Sequence, residues 1–196
     1  MTAFSQEVKD SVCAVKRSAS EKVAELFGMI YSCEKFDGDG ILFRTESECA
    51  MRRFCRLLSI LCGLDAEQSV RKGARGKRFI FEGDSDAVKQ ISSVVPQAKD
   101  ADISAFSKCG AGAAFIGGLF LGAGSVGDPS KAIYAEISIK NDEIIEPALE
   151  IFASLEIAVR ISRRKTGSFF YFKTADDVSR LLFELGAKNQ AFECIN

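Results

Sequence analysis

Two short apolar stretches decide the fold of this chain, and they read Leu26-Phe27-Gly28-Met29-Ile30 and Ile116-Gly117-Gly118-Leu119-Phe120. Gly28 and Gly118 hold equivalent places about ninety residues apart. Each stretch predicts an apolar helix, followed by an alternating strand at 40–45 or 131–137, an amphipathic helix, a basic hairpin and a short closing helix. Solenoid repeats are only about 20–50 residues long. The period therefore indicates one unit duplicated about an internal two-fold axis.

The duplication predicts an α+β fold in which two pseudo-symmetric αββαββα repeats carry antiparallel sheets that form a saddle. We expect an N-terminal helix within 1–19, the first repeat at 20–93, a linker at 94–106 and the second repeat at 107–196. Ser20 is the expected N-cap of the first motif helix, because serine favours this position. Apolar periodicity predicts further helices at 47–63, 85–93, 107–122, 144–155 and 175–185, and a strand at 131–139.

Composition allows a packed core but limits the electrostatics of the chain. It has 196 residues, of which 47% are hydrophobic, a formal net charge of −1 and no histidine. This charge argues against nucleic-acid binding driven by the overall charge of the chain, although it is compatible with a local basic face. The lack of histidine also removes the commonest general base.

The cysteines are odd in number and form no CxxC pair, which predicts reduced cytosolic thiols rather than a disulfide framework. They are Cys13, Cys33, Cys49, Cys55, Cys62, Cys109 and Cys194. Three of them fall on or near the apolar stripe of the helix at 47–63, where cysteine acts as a small hydrophobe. Zinc sites prefer tightly spaced ligand pairs, so we expect no metal and no cofactor.

The glycine-rich stretch from Cys109 to Gly127 admits three interpretations. Its nineteen uncharged residues approach the length of a membrane span, but seven glycines favour a buried helix that runs into a loop. Residues 122–127 match the GxGxxG nucleotide pattern, yet a strand rather than a helix follows them, against the Rossmann arrangement. We therefore expect the glycines, Gly28, Gly117, Gly118 and Gly122, to let the two motif helices pack closely at the seam between repeats.

The same stretches resemble two degenerate LAGLIDADG motifs, the helix pair on which homing endonucleases are built. More closely, Phe115–Pro129, Phe43–Leu58 and Leu185–Glu193 resemble the WhiA family of bacterial transcription regulators, in order and along essentially the whole chain. The resemblance implies regulation of transcription, cell division, chromosome segregation or sporulation, in the bacterial cytoplasm and at the nucleoid. It also implies a C-terminal helix-turn-helix domain, which these 196 residues do not contain.

The motif positions that carry acids in the nucleases are changed in this chain. The eighth positions are Cys33 and Ala123, and neither supplies the hard oxygen ligand that magnesium requires. Glu34 is one residue late, about 100° around the helix, and Gly124 is its counterpart. We therefore predict no catalytic residues and no enzyme activity.

Basic residues cluster in the two equivalent hairpins, where a saddle would meet the phosphates of a duplex. The predicted DNA-binding residues are Arg71, Lys72, Arg75, Lys77, Arg78, Arg160, Arg163, Arg164 and Lys165. The alternative is a solvated hairpin tip that keeps a sheet edge soluble. Arg52, Arg53 and Arg56 are expected to be solvated, and Glu136 is expected on the face offered to DNA, which counts against binding.

The expected function is that of a non-catalytic, DNA-binding domain of a transcription regulator. Its partner would be double-stranded DNA, bound weakly and without sequence preference, with another transcription factor as a further partner and no membrane. The competing hypothesis is a protein-interaction or ligand-sensing module that kept the fold and lost DNA binding.

Overall fold

The computed structural model describes residues 1–73, 76–165 and 167–195. Its helices are α1 Ala3–Ala14, α2 Ala19–Tyr31, α3 Glu48–Cys62, α4 Ser85–Ser92, α5 Ala105–Lys108, α6 Gly112–Ala123, α7 Ile145–Ser154, α8 Ala175–Leu185 and α9 Lys188–Glu193. Its strands are β1 Lys35–Asp37, β2 Gly40–Thr45, β3 Val70–Lys72, β4 Phe79–Gly83, β5 Gly124–Val126, β6 Ala135–Ile139, β7 Arg160–Arg164 and β8 Gly167–Phe172.

The strands of the described residues form two four-stranded antiparallel sheets with the same topology. The first sheet has the order β1-β2-β4-β3 and the second has the order β5-β6-β8-β7. Each sheet follows a motif helix, α2 or α6, so the order αββαββα occurs twice and the predicted fold class is confirmed. The sequence did not locate β1 and β5, because three residues are too few to display an alternating pattern.

Local boundaries differ from the prediction at three places. Ser18, not Ser20, caps α2, and it forms a capping box in which the Glu21 carboxylate accepts a hydrogen bond from the Ser18 backbone amide. The helix predicted at 107–122 is divided into α5 and α6, because Gly110 takes a left-handed backbone with φ 74° between them. The strand predicted at 131–139 begins only at Ala135, after a turn.

The two motif helices α2 and α6 meet backbone to backbone. A Cβ atom at Gly28 would collide with the carbonyl oxygen of Phe115 and would lie 2.7 Å from the amide nitrogen of Leu119. Reciprocally, a Cβ atom at Gly118 would collide with the carbonyl oxygen of Glu25 and lie 2.9 Å from the amide nitrogen of Met29. Only glycine leaves room for this approach, and the contact repeats with the symmetry of the two units.

The other two glycines of the expected seam have different neighbours. A Cβ at Gly117 would lie 3.3 Å from Nη2 of Arg17 and 3.8 Å from Cδ2 of Leu185, so this residue faces away from α2. The reason is geometric, since adjacent residues point about 100° apart around a helix. Gly122 packs against the side chain of Ser32, just beyond the end of α2.

Each sheet covers the core with one face, through aromatic clusters that match in the two repeats. In the first repeat Phe54 of α3 contacts Phe43 and Phe81, with ring centroids 4.3 and 5.7 Å apart. In the second repeat Phe152 of α7 contacts Phe170 and Phe172 at 5.2 and 5.6 Å. All six rings are buried, so the two clusters form matching parts of the core. Separately, no helix of the described residues is long and apolar enough to cross a membrane.

The first helix, α1, joins the two repeats. Its Ser5 hydroxyl accepts a hydrogen bond from the amide of Val126 in β5, at 3.3 Å. On the other side, the Gln6 amide donates to the Ser47 hydroxyl, the N-cap of α3, at 3.2 Å. The helix therefore holds the second sheet and the first repeat in one arrangement.

A Gly118→Ala change tests the backbone contact between the motif helices. We expect it to destabilise the protein by about 1–3 kcal/mol, the usual cost of overpacking, because the Glu25 and Met29 backbones cannot move aside independently. The matched control is Gly117→Ala, which gains the same helix propensity but meets side-chain atoms only. Urea unfolding of both variants measures the difference, and equal stability of the two would contradict the packing account.

Candidate nucleic-acid interface

Strand alternation divides each sheet into a core face and an open face. In the first sheet Ile41 and Phe43 point to the core, so the intervening Leu42 and the following Arg44 point outward. Cross-strand pairing places Glu82 and then Arg71 on this same side, because directly paired residues share a face. The open face of the first sheet carries Lys35, Asp37, Leu42, Arg44, Arg71, Ile80 and Glu82.

The described cations on the open face of the first sheet are each paired with an acid. Arg71 forms an ion pair with Glu82 at 2.9 Å, and Lys35 lies 3.4 Å from Asp37. Arg44 forms a shorter ion pair, at 2.6 Å, with Glu34. Exposed pairs of this kind contribute little to stability, but they neutralise the face that the sequence predicted to be basic.

The open face of the second sheet keeps an excess of positive charge. Arg160 and Arg164 project from β7, and the pairing of Arg160 with Tyr171 sets both on the outer side. Arg164 lies 3.2 Å from Glu136 and stacks over the ring of Phe169, with its guanidinium carbon 4.7 Å from the ring centroid. Glu136 therefore lies on the open face, where the sequence placed it.

The remaining predicted cations are spread over different surfaces. Lys72 and Arg163 occupy the opposite side of their strands, Lys72 with its ammonium 5.8 Å from the ring centroid of Phe79. Lys77, Arg78 and Lys165 are exposed near the hairpin turns, and Arg78 lies 3.9 Å from Glu46. Arg75 falls outside the described residues. The structure thus brings Arg71, Arg160 and Arg164 onto open faces, and it leaves Lys72, Lys77, Arg78, Arg163 and Lys165 near hairpin turns or on the core side of their strands.

The open faces of the two sheets border one shared cavity. Its volume is about 330 Å³, and it lies at the C-terminal ends of the motif helices. Arg44 of the first sheet and Ser125 of the second sheet both line it, together with Glu34 and Ala123. Both residues belong to open faces, so the faces adjoin at this cavity.

Neither eighth motif position supplies an acid to this cavity, and the two carboxylates that line it, Glu34 and Glu46, are each held in an ion pair, with Arg44 and with the N-terminal ammonium. Cys33 is buried and its thiol hydrogen-bonds to the Met29 carbonyl at 3.5 Å, while Ala123 presents only a methyl group. Burial raises the pKa of the Cys33 thiol, which keeps it neutral. Among the residues that the structure describes, no group of three histidine, cysteine or acidic side chains is placed to bind a metal.

A buried lysine that the sequence analysis did not single out lies where α1 meets the end of α6. Lys9 is 4% exposed, its ammonium donates to the Leu121 carbonyl at 3.1 Å, and it lines the shared cavity. Burial lowers its pKa to about 8, because an ammonium loses hydration there. Periodicity could have indicated it, since Lys9 adjoins the apolar positions Val8 and Val12 of α1.

The expectation that Arg53 is solvated is wrong. Its guanidinium makes two hydrogen bonds, at 2.6 and 2.9 Å, to the carboxylate of Glu25, which is completely buried in α2. Burial raises the pKa of Glu25, while Arg53 and the nearby Arg17 oppose this shift. Arg52 and Arg56, in contrast, are exposed on α3 as expected.

The doubled αββαββα architecture, joined through a glycine helix pair, defines a LAGLIDADG-type fold. The solved structure of I-DmoI in complex with DNA and manganese shares this fold, with a TM-score of 0.55, 15% identity, and coverage of 86% of this chain and 97% of that one. The solved N-terminal LAGLIDADG domain of DUF199/WhiA is more similar, with a TM-score of 0.70, 21% identity, and coverage of 95% and 94%.

Within this class the chain is WhiA-like. Residues 112–196 match the WhiA LAGLIDADG-like domain family. Over 94% of its length the chain is 27% identical to the probable cell division protein WhiA of Thermoanaerobacter sp. strain X514. The chain spans 64% of the length of that relative.

Replacing Lys9 tests its burial at the cavity. Its folded pKa of about 8 lies below the ordinary 10.5, so the unfolded chain binds more protons between these values and stability rises with pH. At about 1.36 kcal/mol per pKa unit, the rise is about 3 kcal/mol. We expect Lys9→Met to abolish it in urea unfolding measured at successive pH values.

Lys16→Met, at an exposed lysine just after α1, is the control for this measurement and should keep the wild-type pH profile. A Lys9→Met profile parallel to that of the wild type would mean that Lys9 is hydrated in solution.

Proposed function

We propose that this protein binds duplex DNA without cleaving it, through the open faces of its two sheets. The observation that supports the proposal most directly is the shared cavity, where open-face residues Arg44 and Ser125 adjoin. Through it, Arg71 on one side and Arg160 and Arg164 on the other belong to one pseudo-symmetric surface. Such a surface suits a duplex, whose phosphates are themselves related by two-fold symmetry.

Binding is expected to be weak, sequence-tolerant and sensitive to salt. The ion pairs of Arg71 with Glu82 and of Arg164 with Glu136 must open before these guanidinium groups reach phosphate. Non-specific complexes have dissociation constants of about 10⁻⁴–10⁻⁶ M, and a net charge of −1 places this chain at the weak end. The remaining cations of the two hairpins would extend the same contact, and they are Lys72, Arg75, Lys77, Arg78, Arg163 and Lys165.

The biological role that we propose is regulatory. The WhiA-like sequence supports a role in cell division, and DNA binding would make this a role in transcription control, extending to chromosome segregation or sporulation, at the nucleoid in the cytoplasm. Replacement of both motif acids by Cys33 and Ala123 supports a protein that is not an enzyme. A second transcription factor is the further partner that this role would require.

One observation favours a second candidate function, an interaction module that no longer binds DNA. The described cations on the first open face are neutralised by Glu34, Asp37 and Glu82, so this half of the surface has no excess positive charge among the described residues. A protein or small-molecule partner could use such a face without displacing counterions.

Salt-dependent binding to random duplex DNA separates the two functions. We expect Arg160→Ala/Arg164→Ala to weaken binding and to reduce the slope of log K against log salt by about 2, since each phosphate contact contributes about 0.9. The matched control, Arg52→Ala/Arg56→Ala on the exposed side of α3, removes the same charge and should keep the slope.

Freeing the paired arginines should have the opposite effect. Glu82→Gln/Glu136→Gln is expected to tighten binding, because Arg71 and Arg164 become available to phosphate. Equal slopes in wild type and in the Arg160/Arg164 variant, or no binding at low salt, would leave the interaction module as the function.

Incubation with supercoiled plasmid tests the proposed lack of nuclease activity. With magnesium or manganese the plasmid should remain supercoiled, because Cys33 and Ala123 supply no carboxylate pair at the motif ends. Glu34→Ala serves as the control, and nicking by the wild type that this variant abolishes would refute the proposal.

A further inference from the structure

Two cysteines from different helices share a surface cleft on the side of the molecule where α1 packs against α3. Cys13 lies near the end of α1 and Cys49 in the first turn of α3, and both line this cleft together with Gln6 and Asp10. Both thiols are partly exposed. The cleft is separate from the open faces of the sheets, so neither cysteine has a part in the proposed DNA contact.

Cys49 is surrounded by groups that favour its thiolate. Its sulfur lies 3.1 Å from the hydroxyl of Ser47 and accepts a hydrogen bond from the Gln6 amide at 3.7 Å. It also lies at the N-terminus of a fifteen-residue helix, where the backbone stabilises negative charge. These contacts come from two separate elements, α1 and the α3 cap, and converge on one sulfur.

The Cys13 thiol lines the same cleft as this sulfur, on the face of α1 that also carries Gln6 and Asp10. It is near enough to donate a hydrogen bond to a Cys49 thiolate, which is the chief cause of a lowered Cys49 pKa. Burial and the carboxylate of Asp10 oppose that effect. The same hydrogen bond raises the pKa of Cys13. Cys49 is therefore the cysteine that more readily forms a thiolate, and Cys13 is the one that stays protonated beside it.

We propose that Cys49 and Cys13 form a thiol-modification site, in which Cys49 reacts with a small-molecule disulfide and Cys13 displaces the adduct to close a Cys13–Cys49 disulfide. This inference does not depend on the proposed DNA binding. The physiological reactant would be an oxidised low-molecular-weight thiol.

The disulfide forms in two thiol–disulfide exchange steps. The Cys49 thiolate attacks one sulfur of the small disulfide, a new S–S bond forms, and the other half leaves as a thiolate that takes up a proton. In the mixed disulfide Cys49 is no longer a thiolate, so the hydrogen bond that chiefly raised the pKa of Cys13 is lost. Cys13 then gives its proton to water and its sulfur attacks Cys49, which breaks the mixed disulfide and releases the second small molecule as a thiolate that takes up a proton. The protein loses two hydrogen atoms and two electrons, and the small disulfide is reduced to two thiols.

The other cysteines of the described chain lack this arrangement. Cys33, Cys55 and Cys194 are buried, and burial raises the pKa of each thiol. Burial likewise raises the pKa of Cys62 to about 11. Cys109 is exposed in the turn between α5 and α6, and it therefore serves as an internal reference for simple accessibility.

Closing the bond would fasten α1 to α3. In α1, Ser5 hydrogen-bonds to the backbone of β5 and Lys9 hydrogen-bonds to the end of α6, so α1 links the second repeat to the first. A disulfide between Cys13 and Cys49 would restrict the unfolded chain across the segment between them. Oxidation should therefore raise Tm, by roughly 5–10 °C for a chain of this size.

Treatment of the whole chain with oxidised glutathione, followed by peptide mapping in a mass spectrometer, tests the site. We expect a cross-linked pair of peptides containing Cys13 and Cys49 with the loss of two hydrogen atoms, reversed by dithiothreitol. In Cys13→Ser the glutathione adduct should instead remain on Cys49. Cys49→Ser should give no intramolecular disulfide, and Cys109→Ser should behave as the wild type.

Three results would overturn the proposal. The first is glutathione on Cys109 in the wild type while Cys13 and Cys49 stay reduced, which would mean that accessibility alone governs the reaction. The second is a disulfide that joins another pair of cysteines. The third is an adduct on Cys49 in the wild type that Cys13 never displaces. Circular dichroism of each variant before oxidation ensures that the comparison is made between folded proteins.

Discussion

The backbone contact between α2 and α6 is the constraint on which the rest of the structure depends. Gly28 and Gly118 each lie against the main chain of the opposite helix, so neither position has room for a side chain. Because each sheet follows directly from one of these helices, the distance between helix axes fixes the distance between sheets. The shared cavity and the adjoining open faces are consequences of that distance.

The contact also leaves the eighth motif positions free to vary without a change in helix packing. Motif residues that hold the helices together point between them, whereas the eighth positions lie at the helix ends, where Cys33 and Ala123 stand. Substitution there removes carboxylates without disturbing the packing of Gly28 and Gly118. The ammonium of Lys9, from α1, lines the cavity near the end of α6.

The sequence predicted the repeated unit, because the glycine helices and long amphipathic helices have strong periodicity. It missed β1 and β5, which are short, and it misplaced the cap of α2, because both Ser18 and Ser20 satisfy the serine preference. The site was harder to predict. Clusters of arginine along the chain do not reveal which side of a strand each residue takes, or that Glu82 and Glu136 pair with them. Arg53 and Glu25 owe their burial to tertiary packing, which no local pattern records.

Hydrogen exchange of the protein with and without a random DNA duplex, at low salt, tests the central claim most directly. The account predicts slower exchange in β3 and β4 of the first sheet and in β7 and β8 of the second, with α3 unchanged. Protection confined to one sheet, protection on α3, or no protection at saturating duplex would contradict a two-sheet DNA surface built on the α2–α6 contact.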